Sequence, residues 1–272
     1  MAEKTLRLED WVEDLQKRGR NAFSLRQARE AFKSISEDAL NLSLGRYRGK
    51  NKILSILRGY YLIISPKYAA MNVIPPINFI DGLMKSLERP YYVGLLSAAA
   101  LQGASHQQPQ EFFVFTTMPP MRPIDKNGIK VNFISLAHFP QGDIFEKVKT
   151  EVGFIQISPA ALTALDLIYF ESRIGGLSRA ATVLSELKES LKPAHFSVKL
   201  LKHAKISTIQ RLGYIFEDVL GRSDLADSLV KYCEKAELKF SQIKLDPSCS
   251  SEGSEVNKKW KLILNTTIEL DL

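Results

Sequence analysis

Acidic residues are absent from the whole stretch between Ala39 and Ile80, where Arg46, Arg48, Lys50, Lys52, Arg58 and Lys67 stand without a single Asp or Glu. Residues 1–70 hold 14 Lys+Arg against 8 Asp+Glu, whereas residues 71–272 hold 23 against 22, so nearly all of the net charge of +7 lies in the first quarter. So lopsided a field attracts a polyanion, and counterions released from phosphates supply binding free energy. Cysteine is scarce as well. With only Cys233 and Cys249, a disulfide-stapled scaffold is excluded; the pair could bridge, but two reduced thiols is the plainer expectation. No apolar run approaches the ~20 residues of a membrane span, the longest, roughly Val93 to Leu101, being broken by Gly94 and Ser97. The start Met1-Ala2-Glu3-Lys4 lacks the apolar core of a secretory signal, so a cytoplasmic location without membrane contact is expected. Histidine is sparse and scattered at His106, His138, His195 and His203. No two of them share a helical face beside a carboxylate, so neither a zinc or hydrolase site nor any cofactor is expected.

What remains is an ordinary globular composition. A chain of 272 residues that is 45% hydrophobic and 25% charged can bury a full core, and its length suggests two domains. Leu8, Trp11, Val12 and Leu15 recur at helical spacing, and Arg18-Gly19-Arg20 supplies a stop with cations at the negative end of the dipole. Ser24 precedes the run from Leu25 to Phe32 and can cap a second helix, with Gln27 completing a capping box and Phe23 as a hydrophobic staple. That helix carries Arg26, Arg29 and Lys33 on its cationic face. Ser36 caps a third helix, with Glu37 and Asp38 in its first turn and Leu40, Leu44 and Tyr47 as its buried face. Asn41 and Arg48 project from another side.

After Gly49 the pattern turns β-prone, in Ile53 to Leu57 and Tyr60 to Ile64, separated by Arg58-Gly59. Three helices and a hairpin predict a winged helix-turn-helix over residues 1–68, in which the third helix enters the major groove and cations on the wing grip the backbone. Asn41, Arg46 and Arg48 are then the candidates for base or groove contacts, while Lys50, Lys52 and Arg58 meet phosphates. Arg26 and Arg29 extend the same DNA-binding set. The plain alternative is a small helical bundle whose cationic face is merely solvated. Glu37 and Asp38 weigh against a recognition helix if they lie against phosphate.

Pro66 and Pro75-Pro76 mark a connection, so a second domain is expected over residues 69–272. Helices are predicted from Phe79 to Leu87, Gly94 to Leu101, Pro159 to Leu167, Leu177 to Leu191, Val198 to Leu220 and Leu225 to Ala236. Strands are predicted from Phe112 to Thr116, Ile129 to Ser135 and Gly153 to Ile157. The fold class is therefore α+β, helix-rich and mixed. Lys199, Lys202, His203, Lys205 and Arg211 fall on one predicted helix and form a second basic surface, open to DNA, RNA or an acidic protein; a solvated helix face is the equal alternative. Gly175-Gly176, between Arg173 and Arg179, could present backbone N–H groups to a phosphate, but a tight turn with Ser178 as N-cap is the simpler reading. Gly253-Ser254 lacks the paired acidic metal ligands of a nucleotidyltransferase, which excludes polymerase-like chemistry.

Several stretches resemble the AbiEi family of antitoxins, transcriptional regulators of type IV toxin–antitoxin systems. They are Arg58 to Ile63, Phe79 to Met84, Tyr91 to Ala104, His106 to Gln110, Arg211 to Glu217 and the ending from Trp260 to Asn265. None is a catalytic fingerprint, and no enzymatic activity is expected. The resemblance implies an N-terminal winged helix joined to a larger antitoxin domain, and autoregulation by binding inverted repeats in the protein's own promoter. It also implies a partner: a nucleotidyltransferase-type toxin in an abortive-infection, phage-defence context. Residue by residue it supports only Arg46, Arg48, Lys50, Lys52 and Arg58. It names no toxin-neutralising residue, so Lys199, Lys202, Lys205 and Arg211 are candidates for that role from their charge alone. Two other classes stay open: an antitoxin acting only through protein contact, and a nucleic-acid-processing enzyme.

Overall fold

The computed structural model describes residues 7–66, 68, 74–104, 109–140, 144–187 and 189–271. Lys67 and His106, with Gln107 and Gln108, lie outside them. The fold is mixed α+β, 43% helical and 19% strand, as expected for a helix-rich chain. Contacts divide the chain into two compact units. The first comprises Met1–Tyr92, Gln110–Phe139 and Lys147–Ile157; the second comprises Val93–Pro109, Pro140–Glu146 and Ser158–Leu272.

The first unit opens with α1 (Leu8–Lys17), β1 (Ala22–Ser24), α2 (Leu25–Ala31), α3 (Glu37–Gly49), β2 (Ile53–Leu57) and β3 (Tyr60–Ile63). The three expected helices are present, and so is the hairpin, but β1 is an addition: it pairs antiparallel with β3 to make a three-stranded sheet ordered β1-β3-β2. The segment Ala22-Phe23-Ser24 is too short to show alternation, which is why periodicity cannot find it. Val12, Leu15, Phe23, Ala28, Phe32, Leu40, Leu44, Ile53 and Ile63 share one buried cluster. Trp11 meets Phe23 and Phe32 edge-on at 5.0 and 5.6 Å, and Phe23 stacks on Tyr61 at 5.3 Å. Such aromatic pairs add to the area they bury.

The unit continues through α4 (Ile80–Ser86) into a six-stranded sheet ordered β6-β7-β5-β4-β9-β8. Its strands are β4 (Tyr91–Val93), β5 (Phe112–Thr117), β6 (Ile124–Lys126), β7 (Ile129–Leu136), β8 (Glu146–Thr150) and β9 (Gly153–Ile157). β5 and β7 run parallel, in register from Phe112 opposite Val131 to Thr117 opposite Leu136. Asn127 and Gly128, at φ 50° and 75°, turn β6 back onto β7. Two consecutive positive φ values are what a two-residue hairpin turn of this hand requires.

The second unit is mostly helical: α5 (Leu95–Leu101), α6 (Ala160–Tyr169), α7 (Leu177–Leu187), α8 (Val198–His203), α9 (Ile206–Tyr214) and α10 (Ser223–Lys235). Every residue of α6 from Ala160 to Ile168 is buried, which makes it the central helix of this unit. The single helix predicted from Val198 to Leu220 is in fact α8, a break at Ala204 (ψ 150°), α9 and a π-helical turn over Ile215–Val219. Leu201 and Leu212, eleven residues apart, keep helical phase across the break, so their spacing hides it. A small sheet ordered β10-β12-β11 joins Ile243–Lys244, Leu262–Ile263 and Val256–Asn257.

Candidate nucleic-acid interface

The chain folds locally as its caps direct. Ser24 Oγ accepts from Gln27 N at 3.2 Å while the Ser24 N–H donates to Gln27 Oε1 at 2.9 Å, so the capping box that opens α2 is closed on both sides. Ser36 Oγ accepts from Ala39 N at 3.3 Å at the start of α3. Leu40 and Leu44 fix that helix to the core. At 3.6 residues per turn, Asn41 and Arg48 then share one flank of α3, and Arg46 and Lys50 share the other. Leu42, Gly45 and Gly49 lie between the flanks, and Leu42 is 56% exposed.

The candidate cations separate into two groups. Arg26 pairs with Glu30 and with Glu88, each at 3.2 Å; Arg29 pairs with Glu37 at 3.1 Å; Lys50 pairs with Glu9 at 3.4 Å. The Arg26 guanidinium is raised above its ordinary pKa by its hydrogen bond to Glu30 first and by Glu88 after it. Glu37, which would repel phosphate if free, is thus already held by Arg29. Arg46, Arg48, Lys52 and Arg58 are exposed, and among the described residues no ion pair engages them.

The hairpin is short. β2 and β3 are joined by Arg58 and Gly59, with Gly59 at φ 80°, and Gly59 O accepts from Leu25 N at 2.7 Å, which ties the turn to the start of α2. Lys52 and Arg58 therefore stand at opposite ends of β2, roughly 15–20 Å apart at about 3.3 Å per residue. Arg58 is grouped with the start of α2, and Lys52 with the end of α3. Leu42 is the residue of this face that helical patterning passes over; an apolar side chain at a position where the pattern calls for a polar one is the signal that marks it.

The second basic surface is less uniform. Lys199 and Lys202 are exposed on α8. Lys205 begins α9 and sets its Nζ 4.7 Å from the centre of the Tyr169 ring. Arg211 turns inward: Nη2 donates to Lys244 O at 3.1 Å, Nε is buried, and burial lowers its pKa against the opposing influence of Glu171 and Asp246. Arg211 thus serves the join between α9 and β10 more than an open cationic face. Gly175 and Gly176 are at φ 106° and 94°, a tight turn into α7, and Ser178 Oγ accepts from Glu269 N at 3.2 Å. Among the described residues no three His, Cys, Asp or Glu side chains are grouped to hold a metal ion.

Four of the stretches behind the family resemblance meet in pairs. The ring of Trp260 lies against the Cα of Gly213, and Trp260 Nε1 donates to Glu217 Oε2 at 2.7 Å. Gly82 of α4 faces the Tyr60 hydroxyl, where a Cβ would stand 2.7 Å away. Residues 92–218 match the family model described as the AbiEi antitoxin C-terminal domain. Residues 92–218 thus carry an AbiEi-type antitoxin domain, which supports the role of an antitoxin in a toxin–antitoxin system. A search of curated proteins gives no match. The fold is similar to the crystal structure of the RV2827C protein from Mycobacterium tuberculosis, at TM-score 0.61 and 13% identity, over 93% of this chain and 89% of that one. No helix among the described residues is long and apolar enough to cross a membrane.

Proposed function

We propose that this antitoxin is also a DNA-binding repressor of its own promoter, and that it counteracts a nucleotidyltransferase-type toxin. The observation that carries the DNA-binding half is the arrangement of the first six elements. A capped α2 precedes α3, whose outer face carries Asn41, Arg46 and Arg48, and a hairpin follows with Lys52 and Arg58, four of these five being cations that no carboxylate among the described residues engages. This helix, strand, helix, helix, hairpin order supports reading the module as a winged helix-turn-helix, a motif that places its third helix in the major groove. In that pose Asn41 reads adenine and Arg48 reads guanine from the same flank, each worth about 1–3 kcal/mol of discrimination. Leu42, between the flanks, meets a thymine methyl. Lys52 and Arg58 bind phosphates at the two ends of the hairpin and set register without reading sequence.

The antitoxin half rests on the family match, and the nucleotidyltransferase nature of the toxin rests on what the resemblance implies. Lys199, Lys202 and Lys205 are exposed cations of the second unit offered to an acidic partner or to DNA, with Arg211 turned inward beside them. A direct experiment titrates the protein onto its own upstream DNA and onto an unrelated duplex at two salt concentrations. Preferential, salt-sensitive binding to the upstream DNA is the expected outcome. Equal weak binding to both duplexes removes the repressor reading and leaves an antitoxin that works through protein contact.

A further inference from the structure

A cavity of about 560 Å³ opens within the first unit. The turn from Arg18 to Ala22, α2 and α4 form its walls, and the β8–β9 hairpin supplies the rest. Tyr60 and Phe79 line it and are buried, which marks its inner end; Val152 and Phe154, 37% and 56% exposed, stand at the mouth. Single exposed apolar residues are ordinary, but two of them over one cavity form a face that a ligand can cover. The hairpin tip that presents them is fixed, because Thr150 Oγ1 accepts from Val152 N and donates to Gly153 O, each at 3.2 Å. The charges around the cavity leave one cation over. Glu30 and Glu88 hold Arg26, Asp81 holds Lys85 at 2.7 Å, and Asp14 holds Arg18 at 2.7 Å. Arg20 is exposed, and among the described residues no ion pair engages it. Burial raises the pKa of the Tyr60 hydroxyl and the Arg20 charge opposes that rise, so the guanidinium lies within electrostatic reach of the inner end.

We propose that this cavity binds a small organic acid, with one carboxylate on a compact aromatic body. Its size falls within the range of about 300–1,000 Å³ usual for small-molecule sites. Arg20 takes the carboxylate through parallel N–H donors, a geometry that suits a guanidinium, and the body lies against Phe154 and Val152. Four lining cations against three lining acids leave an excess of one positive charge, which a univalent anion neutralises. A phosphate ester with two charges is disfavoured, since Glu30, Asp81 and Glu88 face the same space and repel the second charge. A neutral analogue leaves Arg20 without its partner. Neither the site nor its test involves DNA, so this proposal and the repressor reading stand or fall separately.

The test titrates three probes of similar shape onto the full chain: 3-phenylpropionate, its neutral amide 3-phenylpropanamide, and phenyl phosphate, at about pH 8 where the phosphate carries two charges. Ligand-observed NMR reads the affinities. The carboxylate is expected to bind about fivefold more tightly than either of the others. Arg20→Gln should bring the carboxylate down to the level of the amide, and Phe154→Ser should weaken both together. Arg20 and Phe154 are exposed, so both variants keep the fold. Absence of binding by all three probes overturns the proposal, as does a carboxylate that binds no better than the amide or keeps its advantage in Arg20→Gln. Tighter binding of phenyl phosphate, or an unchanged affinity in Phe154→Ser, overturns it as well.

Discussion

Trp260 and Gly213 stand 47 positions apart in the sequence, yet the indole ring lies directly on the glycine Cα, with no room for a side chain there. Trp260 is fully buried, its Nε1 donates to Glu217 at 2.7 Å, and Lys259 Nζ reaches the same carboxylate at 2.6 Å. Gln210 Nε2 donates to Trp260 O at 2.7 Å. The C-terminal strands are thereby fastened to α9 and to the π-helical turn that follows it.

Gly213→Ala is therefore expected to destabilise the protein, since overfilling a packed site costs about 1–3 kcal/mol. Trp260→Ala should cost more, about 3–5 kcal/mol, because it leaves a cavity and removes a partner of Glu217. Denaturant unfolding of the full chain measures both. Wild-type midpoints for the two variants would contradict the fastening role.

Ser24→Ala breaks a closed capping box and should cost about 1 kcal/mol, read as a lower unfolding midpoint. Because Ser24 is only 9% exposed and its hydroxyl is taken up by Gln27 N, duplex affinity under folding conditions should change little.

Leu42→Ala removes an exposed apolar side chain, so stability should move by no more than about 0.5 kcal/mol. Discrimination between the upstream DNA and an unrelated duplex should fall severalfold while affinity for the unrelated duplex holds. A loss shared equally by both duplexes would mean that Leu42 does not read sequence.

The two thiols should differ sharply. Burial first, and Glu234 after it, push Cys233 up to about 11, while Cys249 is only half-buried. A thiol reagent at neutral pH should modify Cys249 rapidly and Cys233 only on unfolding. The raised value also carries a linkage: the unfolded thiol, with a value near 9.0, ionises more readily than the folded one. The contribution of Cys233 is thus fully present below about pH 9 and is lost as pH rises toward about 11.

Much of this molecule is legible from the chain, and the illegible parts share a cause. Helices with strong caps, such as α2 behind Ser24 and α3 behind Ser36, follow from local chemistry. β5, β7 and β9 follow from β-branched and aromatic runs. β1 is three residues long and exists because β3 pairs with it, a long-range fact that no window contains. β6 did carry a signal in Asn127-Gly128, but its strand is half polar. The cationic character of the N-terminal module is plain from sequence. Which cations remain unengaged is not, because Arg26 is held by Glu88, sixty-two positions away. The turning inward of Arg211 has the same origin: its acceptor, Lys244 O, arrives from a distant strand.

On the proposed reading, the cations of the first unit that are exposed and engaged by no ion pair among the described residues hold DNA phosphates. The slope of log affinity against log salt for the upstream duplex, compared between the unaltered protein and Lys52→Ala/Arg58→Ala, tests it most directly. Each phosphate contact contributes about 0.9 to that slope, so the double variant should bind more weakly with a slope shallower by roughly 1.8. An unchanged slope and affinity in a folded double variant would contradict the account.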